Sequence, residues 1–287
     1  MYPFTKRKQI IMKKVLLFIA GITLLGGIAN AQDTMYVHQQ GGTITKIAVN
    51  KIDSIVFNET TITAPPLGTV TYGSMTDGEN NSYKTVSIGT QTWMAENLKV
   101  TKYNDGTAIP NVTDNTTWGN LTTGAVCTYN FTTNTDSIRT YGRLYNWYAI
   151  GTGKLCPTGW HVPSDAEWST LGDYLNANGY DYDGSTTDLA IAKSMASNTG
   201  WLSSTDAGTP GNNPSTNNKS GFSALPGGGR DKSGAFFDIG YAGYWWSSTE
   251  DNPVFAVFRI VSDGGNYLIR FADYNKNVGL SIRCLRD

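Results

Sequence analysis

Apolar and polar residues alternate with period two over much of the chain, and a helical period interrupts them near the middle. Thr34–His38 reads as a strand, Gln39–Gly42 as a turn, and Thr43–Val49 as a second strand; Ile52, Ile55 and Phe57 continue the apolar pattern. Residues 32–58 are thus a small β leader unit, too short for a core of its own. Residues 59–71 carry Pro65-Pro66 and read as a stiffened linker. From Tyr72 to Asp287 the chain forms its main domain. Tyr83–Ile88, Gly89-Thr90 and Gln91–Ala95 predict a β-hairpin. Ala125–Phe131 predicts a strand and Arg143–Ala149 a short helix.

The strongest helix start is Pro163-Ser-Asp-Ala-Glu167, a capping box in which the Ser164 hydroxyl and the Glu167 carboxylate each satisfy an early backbone N–H. Trp168, Leu171 and Leu175 then share one face, and Gly179 is a stop. A second helix is predicted over Asp188–Ser197, with Leu189, Ala192, Met195 and Ala196 inward. Residues 198–234 are rich in Gly, Asn, Pro and Ser, which predicts structured loops. Short strands follow at Tyr244–Ser247, Val254–Val261, Asn266–Phe271 and Leu280–Leu285. Two helices followed by short antiparallel strands and long loops make an α+β domain.

Composition adds the compartment. The N-terminus pairs basic residues (Lys6, Arg7, Lys8, Lys13, Lys14) with an apolar run from Val15 to Ile28 and a small-x-small site, Ala29-Asn-Ala31. This predicts a cleaved signal peptide over residues 1–31, with Met12 a more ordinary start than Met1. The apolar run, about 14 residues against roughly 20 needed to span, argues against an anchor. The expected location is therefore periplasm, outer surface or medium, with no membrane span after cleavage. Charged residues are 16% of the chain, aromatic residues 12%, and net charge is −1. That balance fits a loop-rich exported domain and offers nucleic acid no basic surface. Cys127, Cys156 and Cys284 allow three single disulfide pairings, and export permits any of them.

Five ordered phrases carry a family resemblance: Gly142-Arg-Leu-Tyr-Asn-Trp-Tyr148, Lys154-Leu-Cys-Pro-Thr-Gly-Trp-His-Val-Pro-Ser-Asp-Ala-Glu-Trp168, Gly221-Phe-Ser-Ala-Leu-Pro-Gly-Gly-Gly-Arg230, Tyr244-Trp-Trp-Ser-Ser-Thr-Glu250 and Ser281-Ile-Arg-Cys-Leu-Arg-Asp287. Together with Trp93-Met-Ala-Glu-Asn-Leu98 they resemble the Fibrobacter succinogenes major paralogous domain family over residues 72–287. That family looks like the C-type-lectin-like fold in its sulfatase-modifying-factor version, seen in formylglycine-generating enzymes. The resemblance implies paired chain ends, a Cys156–Cys284 disulfide and Cys127 as a buried thiol.

Catalytic chemistry is poorly represented. Formylglycine-generating enzymes use two cysteines near the domain end, whereas this chain has Cys284 alone there. Of two histidines, His38 lies outside the main domain and His161 reads as structural. Zinc lacks its three or four closely spaced ligands. Gly227-Gly-Gly-Arg-Asp231 lacks the strand–loop–Lys–helix context of a phosphate loop, and reads as a tight turn with Arg230 in structural hydrogen bonds. No cofactor is expected. Structural calcium would draw on Asp181, Asp183 and Asp188, or on Asp263 and Asp273.

The expected function is a non-catalytic, exported binding module that recognises a glycan or a surface protein through residues 247–278. Alternatives are a structural or assembly component attached through residues 33–58, and an enzyme related to formylglycine-generating enzymes. The candidate ligand-binding residues are Trp245, Trp246, Glu250, Asp251, Arg259, Asn266, Tyr267, Arg270, Asp273 and Tyr274. Of the adjacent tryptophans, opposite-facing on a strand, one is expected in the core and one nearer the surface.

Overall fold

A computed structural model describes residues 34–38, 44–48, 69–186 and 189–287. The expected signal segment, most of the linker and Asp188 lie outside these residues. The chain divides into two units, Met1–Thr61 and Ile62–Asp287. In the first, β1 (Thr34–His38) pairs antiparallel with β2 (Ile44–Ala48), with Thr34 opposite Ala48. The expected leader hairpin is therefore present.

The second unit is mixed α+β, with few helices and curled, mainly antiparallel sheets. It opens with β3 (Tyr72–Thr76), β4 (Ser82–Ile88) and β5 (Gln91–Met94). The helix α1 (Asn115–Gly119) and strand β6 (Val126–Cys127) follow, then α2 (Thr135–Tyr141), β7 (Leu144–Tyr145), α3 (Trp147–Ile150) and β8 (Trp160–His161). The long helix α4 (Asp165–Ala177) and one-turn α5 (Ala192–Met195) precede β9 (Gly227–Arg230), β10 (Phe236–Ile239), β11 (Ala242–Glu250), β12 (Phe255–Ser262), β13 (Ile269–Asn275) and β14 (Leu285–Arg286).

Two five-stranded sheets organise the unit. Their strand orders are β3-β4-β5-β14-β8 and β10-β9-β11-β12-β13. The last strand thus enters the sheet of the first strands: Leu285 pairs with both Trp93 and His161. Met94 and Leu98 extend this union through their N–H groups, which donate to the Cys284 and Ile282 carbonyls at 3.0 and 2.9 Å. The Cys156–Cys284 disulfide ties the approach to α4 to the same segment, across 128 residues, and leaves Cys127 as a buried thiol. The pairing implied by the family resemblance is therefore present.

The capping box starts α4 as expected, and Trp168, Leu171 and Leu175 are buried. This helix touches β4 of one sheet and β11 and β12 of the other, so its apolar face joins them. Behind it, Trp93, Trp168, Phe222 and Trp245 form a ring cluster, with Trp93 and Trp168 centroids 4.7 Å apart. A second core gathers Met94, Tyr145, Trp246, Phe258 and Ile282.

Several expectations are corrected. Both Trp245 and Trp246 are fully buried, because β11 is covered by a core on each face and neither ring reaches solvent. The expected helix over 188–197 shrinks to α5. Leu189 has φ 54° and is exposed, so it does not face the core. The expected strand over 125–131 is two residues long and ends in a 3-10 turn, where Asn130 and Phe131 take positive φ. Residues 143–149 split between β7 and α3, since the Asn146 side chain caps Ala149 N–H and starts a helix there. Ile269–Asn275 forms the strand expected at 266–271, and of the final strand expected at 280–285 only Leu285 lies in a strand, β14, with Leu280 and Ser281 in isolated bridges.

The Gly227–Gly229 run is also not a turn but strand β9. A side chain at Gly229 would strike the Phe237 ring on the paired strand β10. Glycine is needed there for close approach, and at Gly228 also for the left-handed φ of 62°. Arg230 does make the expected structural bonds, to the carbonyls of Val112, Thr113 and Gly234, while its guanidinium lies 4.3 Å from the Trp118 ring centroid.

Candidate functional site

Residues 247–278 form the hairpin meander β11-β12-β13, with β13 at the sheet's edge. Side chains on these strands alternate between two faces, and the ten nominated residues divide accordingly. Trp245 and Arg259 are directly opposed across β11 and β12, and Arg259 is opposed to Arg270 on β13. This row faces α4. Arg259 Nη2 donates to the Asp165 carboxylate at 2.6 Å and to Ser169 Oγ at 3.0 Å; Arg270 Nη2 reaches the same carboxylate at 2.9 Å. Two strands are thereby pinned to the first turn of α4 by one acid. The Arg259 side chain is only 5% exposed, and its Nε is buried with no hydrogen-bond partner among the described residues. Arg259, like the two tryptophans, is packed inside rather than displayed.

The opposite face carries rings. Trp246, Phe258 and Phe271 are successive partners across three strands. The β12–β13 register then shifts between Ala256 and Phe258, with one extra residue on β13. A bulge of this kind reverses the alternation. It sets Phe271 and Tyr274 on one face, both stacked against Phe258, with centroids at 5.7 and 4.2 Å and planes within 21° and 16°. Tyr244 continues the stack, its plane 14° from that of Tyr274, and Phe237 closes it edge-on at 5.3 Å from Tyr244. Phe271 ends the series at 43% exposure, with Phe258 its sole ring partner among the described residues.

Carboxylates surround the other end. The Tyr244 hydroxyl donates to Asp238 Oδ2 at 2.5 Å. Burial, and then this carboxylate, push the Tyr244 phenol far above its ordinary value. Burial also raises Tyr274, followed by the charges of Asp238, Asp273 and Asp231. Both phenols stay protonated, so each is a fixed donor beside acids.

The other nominated residues scatter. Glu250 pairs with Lys276 at 2.7 Å, and that ammonium lies over the Trp147 ring. Asp251 is bonded to neighbouring Asn252. Tyr267 is exposed, and the Asn266 carbonyl accepts Ala192 N–H at the start of α5. Of the ten, Tyr274 belongs to the ring stack and buried Trp246 meets it edge-on through Phe258 and Tyr274, with Asp273 at the rim. Phe237, Tyr244, Phe258 and Phe271 escaped the sequence reading. Aromatics three residues apart, Phe255 and Phe258 and then Phe271 and Tyr274, fall on opposite faces of a regular strand, and the bulge that brings Phe271 and Tyr274 together was not visible.

The carboxylates considered for calcium act locally. Asp183 accepts from Ser185 N–H, and Asp263 from Gly211 N–H. Among the described residues, no three His, Cys, Asp or Glu side chains converge as a metal site. His161 is held between Asp287 (Nδ1–Oδ1 2.7 Å) and Glu167 (Nε2–Oε1 2.9 Å), with no nucleophile bonded to it. Cys127 is likewise enclosed, and burial pushes its thiol up to about 11. No helix among the described residues is long and apolar enough to cross a membrane.

Comparison with known proteins places this frame. No curated protein and no solved structure matches the chain. A family model, Fibrobacter succinogenes major domain, matches residues 86–286, from the end of β4 through β5, the disulfide, α4 and the glycine strand β9 to the closing strand β14. The match runs through both sheets and most of the chain, and so the protein belongs to the Fibrobacter succinogenes major domain family.

Proposed function

We propose that this protein is an exported, non-catalytic binding module with a C-type-lectin-like fold, and that it takes a glycan on the ring-bearing face of residues 247–278. The fold reading is supported by the union of first and last strands in one sheet and by the disulfide that joins the α4 approach to the final segment. The non-catalytic reading is supported by the enclosed Cys127 thiol and by a His161 held on both sides by carboxylates.

One observation carries the ligand reading. Phe271 is the exposed end of a rigid stack whose inner rings are held by packing, so a flat apolar face meets solvent without loss of side-chain freedom on binding. The apolar C–H face of a sugar ring extends such a stack.

The test is a glycan screen followed by calorimetry with the full chain. Phe271→Ala and Tyr274→Ala should each weaken the best glycan at least tenfold, with thermal stability almost unchanged for Phe271→Ala. If no glycan binds, or if binding ignores both substitutions while a surface protein is retained through them, the glycan assignment is wrong.

A further inference from the structure

A second concavity is built from different residues and shares none with the ring stack. A cleft of ≈ 460 Å³ opens between three segments: the turn joining β3 to β4, the residue Lys99 beyond β5, and α2 with its C-terminal exit. Its size is within the range of small-ligand sites. The lining includes three cations, Lys99, Arg139 and Arg143, and no carboxylate.

The three cations differ in how far they are already neutralised. Lys99 is bonded to Glu96 at 2.7 Å. Arg139 meets Asp136 at 3.0 Å, but both side chains are about three-quarters exposed (75% and 76%), so solvent screens that pair. Arg143 has no carboxylate partner among the described residues. Its Nε donates to the Lys99 carbonyl at 2.9 Å and its backbone N–H to the Leu98 carbonyl at 3.0 Å. Behind it Gly142, at φ 75°, is pressed against Asn97 and Leu98 with no room for a side chain. The guanidinium is therefore fixed at its root, while both Nη groups keep their donors.

Three neutral donors join it. The Asn80 amide and the Ser82 and Thr135 hydroxyls line the same cleft, and none makes a side-chain hydrogen bond among the described residues. A lining of cations, amide and hydroxyl donors with no acid is complementary to a group that only accepts hydrogen bonds and carries negative charge.

We propose that this cleft binds an oxyanion, the phosphate, sulfate or carboxylate group of a ligand of sugar size, with the Arg143 fork as its principal contact and Arg139 as a peripheral one. The whole chain, at net charge −1, offers anions no general attraction, so the selectivity is local to the cleft.

The test is thermal unfolding of the full chain in sodium phosphate, sodium sulfate and sodium glucuronate, each against sodium chloride at equal ionic strength. Sulfate and phosphate stabilise proteins generally, so the expected oxyanion response is read as the rise in melting temperature beyond chloride that Arg143→Gln abolishes; the salt that shows it identifies the group. Arg143→Gln should weaken the apparent affinity about tenfold or more, since a charged hydrogen-bond donor is lost. Arg139→Glu, far out on the rim, should weaken it while leaving the melting temperature in chloride unchanged, which separates binding from folding. Equal responses in all four salts, or an oxyanion response that survives both substitutions, would overturn the proposal. Neither residue touches the ring stack, so glycan binding there is an independent measurement.

Discussion

Arg283 and Asn97 are bonded through Nε and Oδ1 at 3.0 Å, and the same Asn97 oxygen accepts Trp245 Nε1 at 2.9 Å. All three side chains are buried, and Arg283 forms no ion pair among the described residues; its Nη groups donate to the Phe222 and Ser223 carbonyls. Burial lowers the guanidinium to about 9, against the opposing charge of Glu96. Asn97→Leu should remove one acceptor from two buried donors at once. The expected loss is about 3 kcal/mol in denaturant unfolding, and a change below about 0.5 kcal/mol would show that water or a shifted carbonyl replaces the amide.

Trp168 packs against Trp93, Phe222 and Trp245, but its indole nitrogen has no hydrogen-bond partner among the described residues. The ring is therefore needed for volume rather than polarity. Trp168→Ala should cost about 3–5 kcal/mol. Trp168→Phe should cost clearly less, and equal losses in the two variants would refute this division.

The Cys156–Cys284 bridge spans 128 residues. In the chain-entropy account a loop of that size is worth about 5 kcal/mol at room temperature, less any strain. Reduction should lower the denaturation midpoint markedly, and labelling of the unreduced, denatured protein should modify Cys127 alone. Label on Cys284 would contradict the bridge.

His161 gives the fold a pH signature. Burial pulls its pKa down, but bonds to Asp287 and then Glu167 outweigh this, and the net shift is upward. Burial raises Glu167, yet its bonds from Ser164 and His161 prevail, and the net shift is downward. A raised histidine stabilises fully below its unfolded value near 6.5 and loses that benefit as pH rises through the folded value. A lowered glutamate stabilises above its unfolded value near 4.3 and loses that as pH falls. The contact is thus strongest between these limits. Melting temperature should decline above the histidine range, and His161→Ala should remove that part of the decline; an identical profile in the variant would exclude the contact as its source.

Local signals read well where chemistry is local. Ser164-Asp-Ala-Glu167 announced α4, and Gly89-Thr90 announced the β4–β5 turn, because both depend on neighbouring residues alone. Tertiary facts were less legible. Trp245 and Trp246 carry the alternation of any strand, and nothing nearby says that both faces of β11 are covered. Asp165 looked like one more first-turn acid; its two arginine partners are about a hundred residues away. Phe271 and Tyr274 share a face only because β13 holds one residue more than its partner strand.

The position of β14 has a consequence for how the domain comes into being. Leu285 separates β5 from β8, and Arg283 fills the pocket formed by Asn97 and Phe222. Until those residues have left the ribosome, β5 has no neighbour on one side and the first sheet stays in two pieces. The sheet β10-β9-β11-β12-β13 needs no such partner, so it can pair before β14 closes the first sheet. The late step is that closure, and long loop closures of this kind slow the search.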